Sequence, residues 1–449
     1  MTQCFIRNLK LKNYRCFQDL ALSFHPQLTV FVAPNGGGKT AVLDGVAVAL
    51  RLFVDTVEGR INSKGFSARD IRLVLNPDSK MEPVTPVRLE ASAKFLGNEI
   101  SWARERQSEA ASRTTTAEAG DLKQVASQLA RKNQEWAQSR GSDMPLFPLV
   151  SYYGTGRLWS TSKLTEGKKT RETAPNARHR GYTDCLSSSS HYKYFIDWFR
   201  RFSYEAQKTA SDSPHEPQRT LTAVRNAVDI ALMPSGWHGL EWDFAEDTIV
   251  AHHPDLGRLP VDILSDGIRN MIGLVADIAH RAARLNPHLG DSAAVSTPGI
   301  VLIDEVDMHL HPQWQQVVLQ ALEKAFPLIQ FIVTTHSPQV LTTVRKENIR
   351  VFSCDEEGNW NASEPAVSPL AHEAGDALAN IMGTHPRPEI DGILPDLYAY
   401  EQLARAGKAD SSAARDIQKR LDAVGFEFNE AERALFAFLA RRAAEAEKQ

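Results

Sequence analysis

The chain has 449 residues, with 51 lysines and arginines against 55 aspartates and glutamates, for a net charge of −4. Apolar residues make up 42% and charged residues 24%, proportions that exclude a disordered, collagen-like or disulfide-framework chain. The charge balance argues against a globally basic nucleic-acid binder and leaves room for a local basic groove. Cys4, Cys16, Cys185 and Cys354 are far apart and form no CxxC pair, so a reducing, cytoplasmic compartment is expected. The start lacks the apolar region of a signal peptide, and no apolar run of about 18 residues occurs, so no membrane association is expected.

In chain order, Phe5 to Val32 reads as short strands, with Leu28-Thr-Val-Phe-Val a buried one. A glycine-rich loop leads into a helix over Ala41 to Phe53, apolar at helical spacing. Residues 101–140 and 160–219 turn polar and read as surface insertions or mobile loops. Between them Pro148 to Gly154 reads as a strand entering a loop. Tyr192 to Tyr204 and Leu221 to Leu232 read as helices, the aromatic YFIDWF stripe as core packing. From Leu264 the pattern alternates again. It gives a helix over Asp266 to Leu285, a strand at Ile300 to Ile303, one helix after Pro312 and a strand at Ile329 to Val333. The end is charged helix, with Gly425 closing one segment and Asn429 capping the next.

Ala33-Pro-Asn-Gly-Gly-Gly-Lys-Thr40 lies between a strand and an amphipathic helix, the context of a phosphate-binding loop. Gly36, Gly37 and Gly38, with Asn35, would turn backbone N–H groups around phosphate oxygens at a helix start. Lys39 would reach the β- and γ-phosphates, and Thr40 would bind Mg²⁺. Ala33 departs from the usual first glycine.

Asp304 and Glu305 end an apolar strand. The first could hold Mg²⁺, and the second could deprotonate a water. His336, in Thr334-Thr-His-Ser-Pro, sits where a γ-phosphate contact is expected. Leu264-Ser-Asp-Gly-Ile-Arg269 opens a helix, with Ser265 a natural N-cap and Gly267 allowing close approach.

Phosphate loop, LSDGIR, IVLIDE and TTHSP, in that order, resemble the ATP-binding-cassette (ABC) ATPase heads of the RecF and SMC type. The resemblance covers Phe5 to Phe53 and Val261 to Leu341. It implies an α/β P-loop NTPase of ABC head type: a mixed sheet with flanking helices, a helical insertion between phosphate loop and signature, and a helical C-terminal tail. It also implies a head-to-tail dimer, with Ser265 and Gly267 completing the ATP site of a second copy. By the same resemblance Arg15, in LKNYRCF, would touch the nucleotide. The expected divisions are 1–100 and 246–385 for the head, 101–245 for the insertion and 386–449 for the tail.

The DExxxxLHP form around His311 resembles the OLD branch and its defence relatives. His309 and His311 read as a helix start rather than metal ligands. Only about 110 residues follow His336, too few for a Toprim nuclease module plus a linker. SYYGTGRLW, YFIDWF, the Thr384 to Ile390 segment and the helical tail resemble the PtuA-type ATPases of Septu and some retron anti-phage systems. That implies an HNH nuclease partner. The tail could dock it through Tyr398, Tyr400, Phe436 and Phe438, or could equally pack on its own head. Nucleic acid is a candidate contact for the Lys168 to Arg180 run, where a solvated loop is the stronger reading. Arg157 reads equally as a phosphate contact or a loop arginine. The alternative function is a stand-alone RecF-like DNA-binding or repair ATPase. A transporter ATPase fits poorly.

Overall fold

A computed structural model describes residues 3–60, 63, 65–111, 114–139, 143–157, 177–187, 192–208, 216–384, 393–409 and 411–446. The chain divides into two units, Met1–Gly383 and Thr384–Gln449.

In the first unit the chain opens with β1 (Cys4–Tyr14), β2 (Phe17–Ser23), β3 (Leu28–Val32) and α1 (Lys39–Val57). Then come β4 (Arg72–Leu75), β5 (Met81–Val84), β6 (Val87–Phe95), β7 (Asn98–Arg106), α2 (Gly120–Ser139) and β8 (Leu149–Tyr153). Helices α3 (Tyr192–Lys208) and α4 (Glu216–Leu232) precede β9 (His238–Asp243), β10 (Thr248–His253) and β11 (Gly257–Pro260). Next are α5 (Asp266–Leu285), α6 (Ala293–Ser296), β12 (Gly299–Ile303), α7 (Pro312–Gln315), α8 (Val318–Ala325) and β13 (Ile329–Thr334). The unit ends with α9 (Pro338–Leu341), β14 (Ile349–Cys354), β15 (Trp360–Ser363) and α10 (Ala374–Asn380).

The central sheet runs β15-β14-β3-β13-β12-β8. All its pairings are parallel except β14 with the edge strand β15. Strands β3, β8, β12 and β13 are buried at every position. That is why they read as continuous apolar runs rather than alternating ones: a parallel sheet is covered on both faces. A second, antiparallel sheet runs β2-β1-β6-β7. From Leu9 to Asn13 β1 alternates buried and exposed, as expected of a strand with one covered face. Helix α1 buries Val42, Val46, Ala49, Leu50 and Phe53, and Phe53 packs on Phe95 of β6 at 4.6 Å between ring centres.

Two strands cross the expected divisions. Position 101 falls inside β7, which belongs to the antiparallel sheet. Strand β8 pairs with β12 in the central sheet. Strands β7 and β8, both inside the expected 101–245 insertion, thus belong to the two sheets of the first unit. The expected single helix after Pro312 is two, α7 and α8, separated at Val317 with φ −122°. Helix α3 does bury Phe195, Trp198 and Phe199, so its aromatic stripe is core.

Arg178 corrects the reading of Lys168 to Arg180 as solvated. Its guanidinium is buried and donates to the Leu285 carbonyl (2.8 Å), Asn133 Oδ1 (2.9 Å) and the Pro145 carbonyl (2.7 Å). It lies 4.6 Å from the Phe147 ring centre. The first part of that run, the Arg157 side chain and most of Thr384 to Ile390 lie outside the described residues.

The second unit holds α11 (Ile393–Arg405), α12 (Ser412–Ala423) and α13 (Glu430–Ala446). Asn429 Oδ1 accepts from the Glu432 amide at 2.8 Å, while the Glu432 carboxylate accepts from the Asn429 amide at 2.9 Å. This reciprocal cap starts α13. Tyr400 packs against Phe428 and, edge-on, Phe436 with ring centres at 4.9 and 5.3 Å, and Phe438 is exposed.

Candidate functional site

Strands β3, β8, β12 and β13 run parallel, so their carboxyl ends gather at one edge of the sheet, where ligands of open α/β folds bind. After β3, Pro34, Asn35 and Gly36 form an exposed tip, and the Gly37 amide donates to the Pro34 carbonyl at 3.0 Å. Gly36 and Gly38 have φ +78° and +81°, which L side chains resist. A Cβ on Gly38 would lie 2.3 Å from the Phe17 ring, and one on Gly37 would lie 2.8 Å from the Ala33 methyl. Ala33 is accommodated because residue 37 has no side chain.

Gly38 is the N-cap of α1. It has no side-chain cap bond, and the first turn of the helix has no acid. The open N–H groups there suit an anion. Lys39 is buried and donates to the Ala33 and Pro34 carbonyls at 2.8 and 3.2 Å. Burial lowers its pKa from the ordinary lysine value, against the opposing pull of Asp304, Glu305 and Asp307.

One carboxylate ties the edge together. Thr40 Oγ1 donates to Asp304 Oδ2 at 2.8 Å. Thr334 Oγ1 donates to Asp304 Oδ1 at 2.6 Å and accepts from the Glu305 amide at 2.7 Å. Glu305 has φ +50°, a conformation unfavourable for a glutamate and seen most often at functional sites. Thr335 Oγ1 donates to Asp307 Oδ1 at 2.5 Å, and the His336 amide approaches the same oxygen at 3.4 Å. His336 thus sits on the loop that Asp307 anchors. The hard oxygen atoms of Thr40 and Asp304 match what Mg²⁺ takes from protein, usually with waters and phosphate completing the shell.

Arg15 is held by two carboxylates, Asp44 Oδ2 at 2.6 Å and Asp70 Oδ1 at 2.8 Å. It stands in the β1–β2 turn at φ +50°, with its amide bonded to the Asp70 carbonyl. Asp44 follows Thr40 by one helical turn, so Arg15 is tied to the helix that begins at Lys39. In this structure its partners are carboxylates.

The signature turn is built differently. Ser265 is exposed and caps α5 without a side-chain bond. A Cβ on Gly267 would come 2.7 Å from the His309 carbonyl, and Asn270 Nδ2 donates to the Met308 carbonyl at 3.1 Å. Gly267 therefore allows α5 to pack on the chain just after Asp304. No hydrogen bond among the described residues joins Ser265 to the phosphate loop of its own chain. His311 Nδ1 accepts from the Gln313 amide at 3.4 Å as the N-cap of α7.

Asp277, Tyr153, Asp307 and Thr334 were not singled out from sequence. Tyr153 Oη donates to Asp277 Oδ2 at 2.8 Å, Arg281 Nε donates to the same oxygen at 2.7 Å, and Arg281 Nη1 donates to the Gly181 and Thr183 carbonyls. The Tyr153 carbonyl accepts from the Asp304 amide at 2.8 Å. This buried chain of bonds links α5, β8 and the acidic strand end. An Asp–Arg pair four residues apart on one helix was its signal in sequence. The two threonines of TTHSP and the second aspartate of DEVD were visible but carried no assigned role.

The fold and this constellation define a P-loop ATPase of ABC head type. An AAA domain family matches residues 8–213, and a second, described as AAA domain, putative AbiEii toxin, Type IV TA system, matches residues 175–342. The Septu protein PtuA of Bacillus thuringiensis is 31% identical over 79% of this chain and 77% of its own length. The chain belongs to that family. The Retron Vc95 probable ATPase of Vibrio cholerae serotype O1 biovar El Tor is 27% identical over 92% of this chain and 86% of its own. For the Retron Ec83 probable ATPase of Escherichia coli the values are 24%, 92% and 83%. Among the described residues no helix is long and apolar enough to cross a membrane.

Proposed function

We propose that this protein binds and hydrolyses ATP with Mg²⁺ and is the regulatory subunit of an anti-phage defence complex, controlling a partner HNH nuclease through nucleotide-dependent head dimerisation. The observation that carries the ATP reading is the Thr40–Asp304 bond of 2.8 Å, which brings a helix-start hydroxyl and a strand-end carboxylate to one point beside Lys39. The defence role rests on relatives whose names place them in Septu and retron systems.

Lys39 and the amides of Asn35 to Thr40 hold the phosphates. Thr40 and Asp304 would hold the metal, which would supply positive charge to stabilise the transferring phosphoryl group. Glu305 accepts a proton from the attacking water. His336 contacts the γ-phosphate and, through the loop anchored by Asp307, registers its departure. Ser265 and Gly267 of a second copy close the site, which the exposed, uncapped Ser265 supports.

The test is titration of a fluorescent ATP analogue, followed by co-purification with an HNH protein encoded beside this one. Lys39→Ala removes a charged contact and is expected to weaken binding about a hundredfold, from roughly 3 kcal/mol. Unchanged affinity sinks the site. If the wild-type protein retains no HNH subunit and instead binds DNA alone with a steep salt dependence, the stand-alone RecF-like function replaces the complex.

A further inference from the structure

The order of the central sheet gives a triphosphate in the proposed site a direction. Asp304 follows β12 and His336 follows β13, both on one side of β3, while β14 and β15 lie on the other. With its γ-phosphate toward Glu305 and His336, a triphosphate held by the loop after β3 turns its nucleoside end toward β14 and β15.

An aromatic side chain stands at that end. Strand β14 pairs with β3 as far as Val351 opposite Val32, then runs on to Cys354. Strand β15 returns from Trp360, the cross-strand partner of Cys354. Trp360 is therefore at the same carboxyl edge of the sheet as the phosphate loop. Its ring carbon Cη2 would be 3.3 Å from a Cβ on Gly37, so the indole reaches the loop itself.

Trp360 is only partly buried, whereas Tyr14 and Phe17, which flank the adjoining β1–β2 turn, are fully buried and have no face to offer a ligand. Its indole N–H has no hydrogen-bond partner among the described residues, although a tryptophan packed for structure alone usually finds one. Phe17 meets the indole edge to face, with ring centres 6.5 Å apart and planes at 87°, and Phe352 of β14 lies 6.3 Å from Phe17. The indole is thus held in place at small cost in freedom. The β14–β15 turn beside it carries the exposed acids Asp355, Glu356 and Glu357. Their charge disfavours phosphate next to Trp360 and leaves the uncharged base as its partner.

We propose that Trp360 is the stacking surface for the base of the bound nucleotide. The inference rests on the phosphate site of the proposed function and adds the part of the ligand which that site does not read. Stacking on an aromatic side chain is open to every base, because each has a π-face. A purine presents the larger face, so Trp360 favours purine over pyrimidine nucleoside triphosphates and does not by itself separate adenine from guanine. The Lys39 end holds charge, and the Trp360 end distinguishes a nucleotide from a bare triphosphate.

The experiment is calorimetric titration of the full chain with ATP, CTP and inorganic triphosphate, each with Mg²⁺. Trp360→Ala is expected to raise the ATP dissociation constant about tenfold or more and to narrow the preference for ATP over CTP. Trp360→Phe is expected to recover most of the loss, and neither variant to change the affinity for inorganic triphosphate. If Trp360→Ala weakens ATP and inorganic triphosphate alike, the indole only props the loop at Gly37 and the stacking role is wrong. If Trp360→Ala leaves ATP affinity unchanged while Lys39→Ala weakens it, the base lies elsewhere and the phosphate site stands. If Lys39→Ala binds ATP as the wild type does, the phosphate site itself is wrong and this inference falls with it. Should Trp360→Ala not fold, Trp360→Phe against Trp360→Leu makes the same comparison with and without a π-face, and equal ATP affinities overturn the proposal.

Discussion

At the carboxyl ends of β3, β12 and β13, Thr40, Asp304, Thr334 and the Glu305 amide are bonded to one another within a single chain. At the start of α5, Ser265 is exposed and bonds to nothing as a cap, with Ile263 bare beside it. Both regions belong to one proposed site, yet only the first is completed by its own chain. Hydrogen bonds made in advance keep the phosphate end organised before a ligand arrives. On the proposed reading, the unfinished signature end would gain its partners on assembly, as a nucleotide-dependent contact requires. Farther along, α5 is locked by the buried Asp277–Arg281–Tyr153 cluster. One helix therefore has an open end and a fixed body.

The strongest way to break this contrast is Glu305→Gln. Loss of the base is expected to slow hydrolysis about 10²- to 10⁴-fold and to leave a stable ATP-bound dimer, read by phosphate release and light scattering. Next is Asp277→Ala, which strands a buried arginine. It is expected to cost about 3 kcal/mol in urea unfolding, whereas Ser265→Ala leaves the midpoint of unfolding in place. If both variants unfold alike, the fixed body of α5 is no more secure than its open end.

Ser265→Ala is expected to lower ATPase activity about tenfold, through loss of a hydrogen bond to a charged group, with ATP affinity of the single copy unchanged. Mixing it with Lys39→Ala, so that one intact composite site forms, restores part of the rate. The smallest effect is in pH. Burial lowers the Lys39 pKa below the ordinary 10.5, so the nucleotide-free lysine loses its proton earlier on the alkaline side. Nucleotide affinity is therefore expected to fall as pH rises through that lowered value. A titration in which affinity holds until ordinary lysines deprotonate contradicts it.

The phosphate loop, the acidic strand end and TTHSP were legible because each combines an apolar strand with residues of restricted chemistry. The apolar strands that carry them were legible for the same reason. Asp277 and Arg281 escaped because a buried ion pair looks, in sequence, like any exposed pair at that spacing. Arg178 misled in the opposite sense: a basic run suggested solvent, while backbone carbonyls and Phe147 enclose it. Strand β8 lay between polar stretches and was read as part of an insertion, although its partner β12 is far along the chain.

What the sequence determined alone is the local chemistry: where a backbone turns at glycine, where a helix begins, which strand ends in acids. These depend on near neighbours in the chain, and residue type specifies them. Which carboxylate meets Thr40, why Gly267 must lack a side chain, and how α5 is bolted to the strand bearing Asp304 were decided by contacts between distant segments. Only the packed sheet and helices bring those atoms within bonding distance.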